Sequence, residues 1–241
     1  MVIDNHVHVG WYSDGYHSPL EIWRFLKEAG VDAAVVSSTS TCAELYHNVK
    51  TEFYQLFSIA GKEHIYPILW LTPDMLLKGW PLKKLLISKI EWRGIKLHYI
   101  SHPLWSKMPG LVDKALDIAR NLGNVPVLLH TGGWENCHAG VFGPVIAANP
   151  DLKFVLAHGR PIDETINLMK NQTNVWTDTA FMPIENIIKL KEENLSERVL
   201  FGSDAPINRI YFPLQTTKEY LKEKIDEILR IDPSILERTI F

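Results

Sequence analysis

Cysteine is almost absent from this chain of 241 residues, which holds only Cys42 and Cys137. Two are too few for a disulfide framework, and these two are too far apart for a Cys-x-x-Cys site. Long apolar runs are also missing, since nothing approaches the roughly 20 residues that a membrane-crossing helix requires. The apolar start carries Asp4, His6 and His8 without a basic leader, so it does not read as a signal peptide. Positive charge is in no excess: Lys and Arg number 25 against 28 Asp and Glu, for a formal net charge of -3. That balance disfavours nucleic acid as the main partner. With no low-complexity tract, charged tail or Ser/Gly-rich linker, residues 1–241 read as a single domain. The chain is expected to be soluble and cytoplasmic, with a small molecule as its partner.

What is present is an alternation. Eight short apolar runs rich in β-branched residues read as strands: VIDNHVHVG from Val2, VDAAVVSS from Val31, IYPILWL from Ile65, RGIKLH from Arg93, VPVLLH from Val125, LKFVLAH from Leu152, NVWTDT from Asn174 and RVLFGSD from Arg198. Several are nearly continuous in apolar residues, as strands buried on both faces must be. Stretches of helical period separate them. SPLEIWRFLKEAG, for example, offers Ser18 as a cap, Pro19 in the first turn and Gly30 as a stop. Eight such units suit a doubly wound sheet or a closed (β/α)8 barrel, and about 250 residues is the usual barrel size.

The strand ends favour the barrel. His6 and His8 fall in the first run, Lys96 and His98 end the fourth, His130 the fifth and His158 the sixth, while Asp178 lies in the seventh and Asp204 at the very end of the eighth. A barrel opens the carboxyl ends of all its strands onto one mouth. Period-two alternation places Lys96 with His98, Leu128 with His130, Leu156 with His158, and Gly202 with Asp204, so that each ionisable group shares a face with a residue of the barrel interior. Several imidazoles and a carboxylate converging on one cavity make a site for a borderline divalent cation such as zinc. Without a metal, the same cluster would bury polar groups at considerable cost.

These motifs carry a resemblance. Asp4-Asn5-His6-Val7-His8, GIKLH from Gly94, LLHTGG from Leu128, LAHGR from Leu156 and FGSDAP from Phe201 resemble, in order, the amidohydrolase superfamily. More narrowly, they resemble the amidohydrolase-related (amidohydrolase 2) branch that includes aminocarboxymuconate-semialdehyde decarboxylase-like proteins. The tail from Asp232 is similar to the closing helix of that family but lacks its usual Gly-Asn-Ala stretch. The resemblance implies a distorted (β/α)8 TIM barrel with one divalent metal, usually zinc, with manganese, iron or cobalt as alternatives. It implies His6, His8, His130 and Asp204 as metal ligands, and His158 as the residue beside the activated water. Lys96 would either be carbamylated and bridge two metals, or remain an amine that contacts substrate. A homodimer is common in the family. A TatD-like nuclease also begins with His-x-His, but Lys96 stands where that family has an acidic ligand.

The expected activity is hydrolysis of an ester, lactone or amide of a small, carboxylated compound. Asp204 and His158 would do the proton work, and Lys96, His98 and Arg160 would form a positive wall beside the metal. Trp134, after Gly132-Gly133, would line the pocket. A non-oxidative decarboxylase of a carboxylated aromatic or unsaturated acid is the alternative, and a catalytically silent metal-binding barrel is the third reading. Arg160 reads equally as a helix-start residue facing solvent, and Trp134 equally as packing. Cys137 and His138 read as packing residues, and His17, His47, His64 and His102 as ordinary histidines.

Overall fold

Each apolar run becomes a strand because the next segment covers it with a helix. A computed structural model of the chain describes residues 1–132 and 135–241. Its strands are β1 Ile3–Tyr12, β2 Gly15–His17, β3 Ala33–Ser38, β4 Ile65–Trp70, β5 Gly94–Leu97, β6 Val127–His130, β7 Phe154–Ala157, β8 Val175–Asp178 and β9 Val199–Leu200. They form one curled sheet in the order β2-β1-β3-β4-β5-β6-β7-β8-β9, and every pairing is parallel except that of β1 with β2. Seven of the eight parallel strands lie within their apolar runs, and β1 overruns the first by two residues, to Tyr12. The hairpin β1-β2, which turns through Ser13-Asp14 and pairs Tyr12 with Gly15, was not expected from the sequence.

The chain beyond β9 returns to β1. The Asn5 amide donates to the Phe201 carbonyl at 2.7 Å, the Asp204 amide to the His6 carbonyl at 2.8 Å, and the His8 amide to the Ala205 carbonyl at 2.8 Å. Asp4 reinforces this contact by accepting from the Ser203 amide at 3.0 Å and the Ser203 hydroxyl at 2.5 Å. The first and last motifs of the sequence thus become neighbours.

Helices follow each parallel strand. Pro19–Glu28 begins as expected, with the Ser18 side chain accepting from the Glu21 amide at 3.2 Å. Tyr46–Ala60, Pro109–Asn121, Ile162–Asn171, Ile184–Glu192 and Thr217–Ile231 are the other long ones. The irregular stretch after β4 forms two short helices, Pro73–Lys78 and Trp80–Leu86, broken at Gly79. No helix among the described residues is long and apolar enough to cross a membrane.

Alternation along the strands divides the core in two. Val36, Leu69, Leu97, Leu129 and Leu156 pack outward against the helices. Val35, Ile68, Leu128, Val155, Ala157 and Leu200 pack inside the curl, with Tyr66, Trp176 and Phe241 against them. This corrects one expectation: Leu156 faces the helices, and Val155 and Ala157 take the interior. Strict alternation would then turn His158 outward, but its φ of +70° breaks the strand and re-aims the side chain. Gly94 has no room for a side chain, since a Cβ there would lie 2.7 Å from Ile68 Cγ2 and 2.8 Å from Phe241 Cδ1. Gly94→Val is therefore expected to cost about 1–3 kcal/mol by overpacking. Urea unfolding checks this, and an unchanged midpoint contradicts it.

Candidate metal centre

β1 places two imidazoles on the inner face because residues two apart point the same way. The second nitrogen of each is anchored from outside the cluster. His6 Nδ1 lies 2.9 Å from Asp178 Oδ2, at the end of β8, and a carboxylate can only accept, so Nδ1 carries the proton. His8 Nδ1 is 2.8 Å from the Ser37 hydroxyl, near the end of β3. Both rings therefore aim Nε2 inward, where Lys96 Nζ lies 2.8 Å from His6 Nε2 and 3.0 Å from His8 Nε2. Asp204 Oδ1 approaches the same two nitrogens at 3.2 and 2.8 Å.

All four side chains are buried or nearly so, and their charges follow from that. Burial, then the Lys96 ammonium, holds both imidazoles well below the usual histidine range, so they are neutral. Burial also brings Lys96 down to about 8, against the pull of Asp204 and Asp178. Once Lys96 donates to Nε2 of each ring, His8 Nε2 and Asp204 Oδ1 face each other at 2.8 Å as two acceptors. Such a pair calls for a cation. Two neutral imidazole nitrogens, that of His6 left bare by the Asp178 carboxylate behind its ring and that of His8 by the ammonium donating to it, and one carboxylate oxygen form a donor set that suits a borderline divalent ion. The ligating atoms of His6, His8 and Asp204 lie within 4.8 Å of one another. The lysine ammonium shows that a positive charge is accommodated beside them.

Tautomers can be followed further along the strand ends. His158 Nδ1 is 3.1 Å from the Ala180 carbonyl and so carries its proton, leaving Nε2 bare. That nitrogen lies 3.2 Å from His130 Nδ1, which donates to it. The remaining lone pair of neutral His130 is then on Nε2. Burial lowers both residues, His158 to about 4 and His130 well below the usual range. His158 Nε2 is also 4.0 Å from Asp204 Oδ2. Asp178 holds the turn together: besides His6, its Oδ1 accepts from the His158 amide at 2.9 Å and the Ala180 amide at 3.0 Å.

Above these groups lies a cavity of about 290 Å³, lined by His8, Trp70, Lys96, His98, His130 and Asp204, together with Tyr12, Ile100 and Tyr211. Arg160 is not among the lining residues, and its Nη2 donates to the Phe181 carbonyl at 3.0 Å. Trp134 lies outside the described residues. Trp70, Ser37 and Asp178 matter more than the sequence alone indicated. Each sits at or near the carboxyl end of a parallel strand, and that position was the available signal.

The geometry can be set beside known proteins. The family described as Amidohydrolase matches residues 86–231, more than half of the chain. No curated protein matches it by sequence. Among solved structures, a probable 2-pyrone-4,6-dicarboxylic acid hydrolase from Acinetobacter baumannii, with citric acid bound, is similar at 16% identity and a TM-score of 0.65, over 98% of this chain and 95% of that one. IDCase from Metarhizium anisopliae follows at 14% identity and 0.63, over 96% and 92%. 4-Oxalomesaconate hydratase from Rhodopseudomonas palustris is similar at 15% identity and 0.53, over 97% and 96%. At such identities the likeness is one of fold.

Proposed function

The chain belongs to the amidohydrolase family, and from that premise we propose that it is a metal-dependent hydrolase built on a (β/α)8 barrel. Its substrate in this reading is an ester, lactone or amide of a small, carboxylated compound. The observation that carries the proposal is the approach of His6 Nε2, His8 Nε2 and Asp204 Oδ1 to one another at the floor of a cavity wide enough for a small molecule. His6, His8 and Asp204 would hold one divalent ion, with His130 offering its bare Nε2 as a fourth ligand. Zinc suits these donors best, and manganese, iron or cobalt would also be accepted. When bound, such an ion acidifies a water and polarises a substrate oxygen.

The chain's own residues do the rest. Asp204 Oδ2 takes the proton of the attacking water and returns it to the leaving group. His158, whose Nε2 faces both His130 and Asp204, shares that proton or steadies the developing negative charge. Lys96 and His98 line the cavity and contact the substrate's carboxylate or carbonyl. A homodimer in the cytoplasm completes the reading.

The test is a panel of lactones, esters, amides and carboxylated aromatics, scored for acid released and for carbon dioxide. Acid release without carbon dioxide, lost on chelation and restored by zinc, is the expected result. Carbon dioxide as the product assigns the site to decarboxylation instead, and turnover that survives chelation overturns the metal-dependent reading.

A further inference from the structure

His98 stands at the end of β5 with both faces covered. Trp70 stacks on one side, centroids 5.2 Å apart at 22°, and His130 on the other, 3.9 Å apart at 28°. The ring is 8% exposed and lines the cavity. Stacked in this way, it cannot swing without displacing an indole or an imidazole. Its edge is fixed as well, because the Ser101 amide donates to His98 Nδ1 at 3.1 Å. A backbone N–H can only donate, so Nδ1 is an acceptor and the proton of the neutral ring lies on Nε2.

We infer that His98 is a specificity residue of the cavity, a neutral imidazole locked by Ser101 and by its two stacking partners so that Nε2–H donates to an acceptor oxygen of the ligand. This rests on the reading of the cavity as the substrate site. It narrows the substrate class to compounds that present a carboxylate or carbonyl oxygen at this wall, and it selects against an ammonium group in the same place, which would meet a donor with a donor. It also separates the work of two neighbours: Lys96 supplies charge, and His98 supplies direction.

Nitrogen-15 NMR of histidine-labelled protein tests the inference, with benzoate as an acceptor probe and benzylamine as a donor probe. The free protein is expected to show His98 neutral with its proton on Nε2, and benzoate to shift that nitrogen while benzylamine does not. His98→Phe keeps a ring between Trp70 and His130 but removes the donor, and should weaken benzoate by about tenfold. His98→Gln, which restores an N–H near the same place, should recover part of that loss. A proton on Nδ1, an equal response to both probes, no response to benzoate, or full benzoate affinity in His98→Phe overturns the inference. Ring-nitrogen shifts and probe affinity are read without turnover, so failure of the hydrolase assignment and failure of this one are told apart.

Discussion

Asp204→Asn is expected to lower kcat/KM by about 10²–10⁴-fold while leaving the fold intact. The residue sits at φ +59°, a left-handed conformation that asparagine adopts nearly as readily as aspartate, so the backbone should not move. The backbone bonds that tie this turn to β1, from the Asp204 amide to the His6 carbonyl and from the His8 amide to the Ala205 carbonyl, do not involve the side chain. The carboxylate, however, provides an oxygen beside His6 and His8 and a second oxygen near His158, and an amide offers neither negative charge nor a proton acceptor of useful basicity. Steady-state kinetics and a thermal melt on the same preparation check the two halves. Retained activity with an unchanged melt removes Asp204 from the chemistry.

Asp178→Asn should be nearly as damaging, by a different route. Its side chain does not line the cavity, yet it accepts from the His158 and Ala180 amides with one oxygen and from His6 with the other. Asparagine keeps one oxygen, which would stay with the two amides. It then turns an NH2 towards His6 Nδ1, and that ring can be satisfied only by moving its proton to Nε2. A protonated Nε2 has no lone pair for a metal. Metal affinity is expected to fall about 10–100-fold, the size usual for losing a partner behind a ligand, with little change in melting temperature. Competition with a chelating dye measures it, and an affinity equal to the parent's means that His6 does not depend on Asp178 for its tautomer.

Much of this arrangement could be read from the order of residues. The eight parallel strands lie where β-branched apolar runs stand, and the rule that barrel loops gather at the carboxyl ends brings His8, Lys96, His98, His130 and Asp204 to the lining of one cavity. Alternation served for β5 and β6, where Lys96 and Leu128 face inward. It failed at β7, because it assumes an unbroken strand and His158 has left the β region. Nor could spacing show the bonds behind the ring nitrogens. Ser37, Ser101 and Asp178 are common residue types, and they matter only because the fold sets them against His8, His98 and His6. Trp70 reads from sequence as one more apolar strand residue, but it stacks on His98 and lies 4.4 Å from Lys96 Nζ, centroid to nitrogen. Arg160 looks equally good as a solvent residue or a substrate contact until its guanidinium is seen donating to Phe181.

Elemental analysis of the chain purified without added metal, set beside a His6→Asn/His8→Asn double variant, shows whether these imidazoles hold an ion. About one divalent ion per chain is expected in the parent and a large loss of it in the variant, with both proteins folded. A parent that is metal-free yet turns over substrate, or a variant that holds its ion as firmly as the parent, would contradict that expectation.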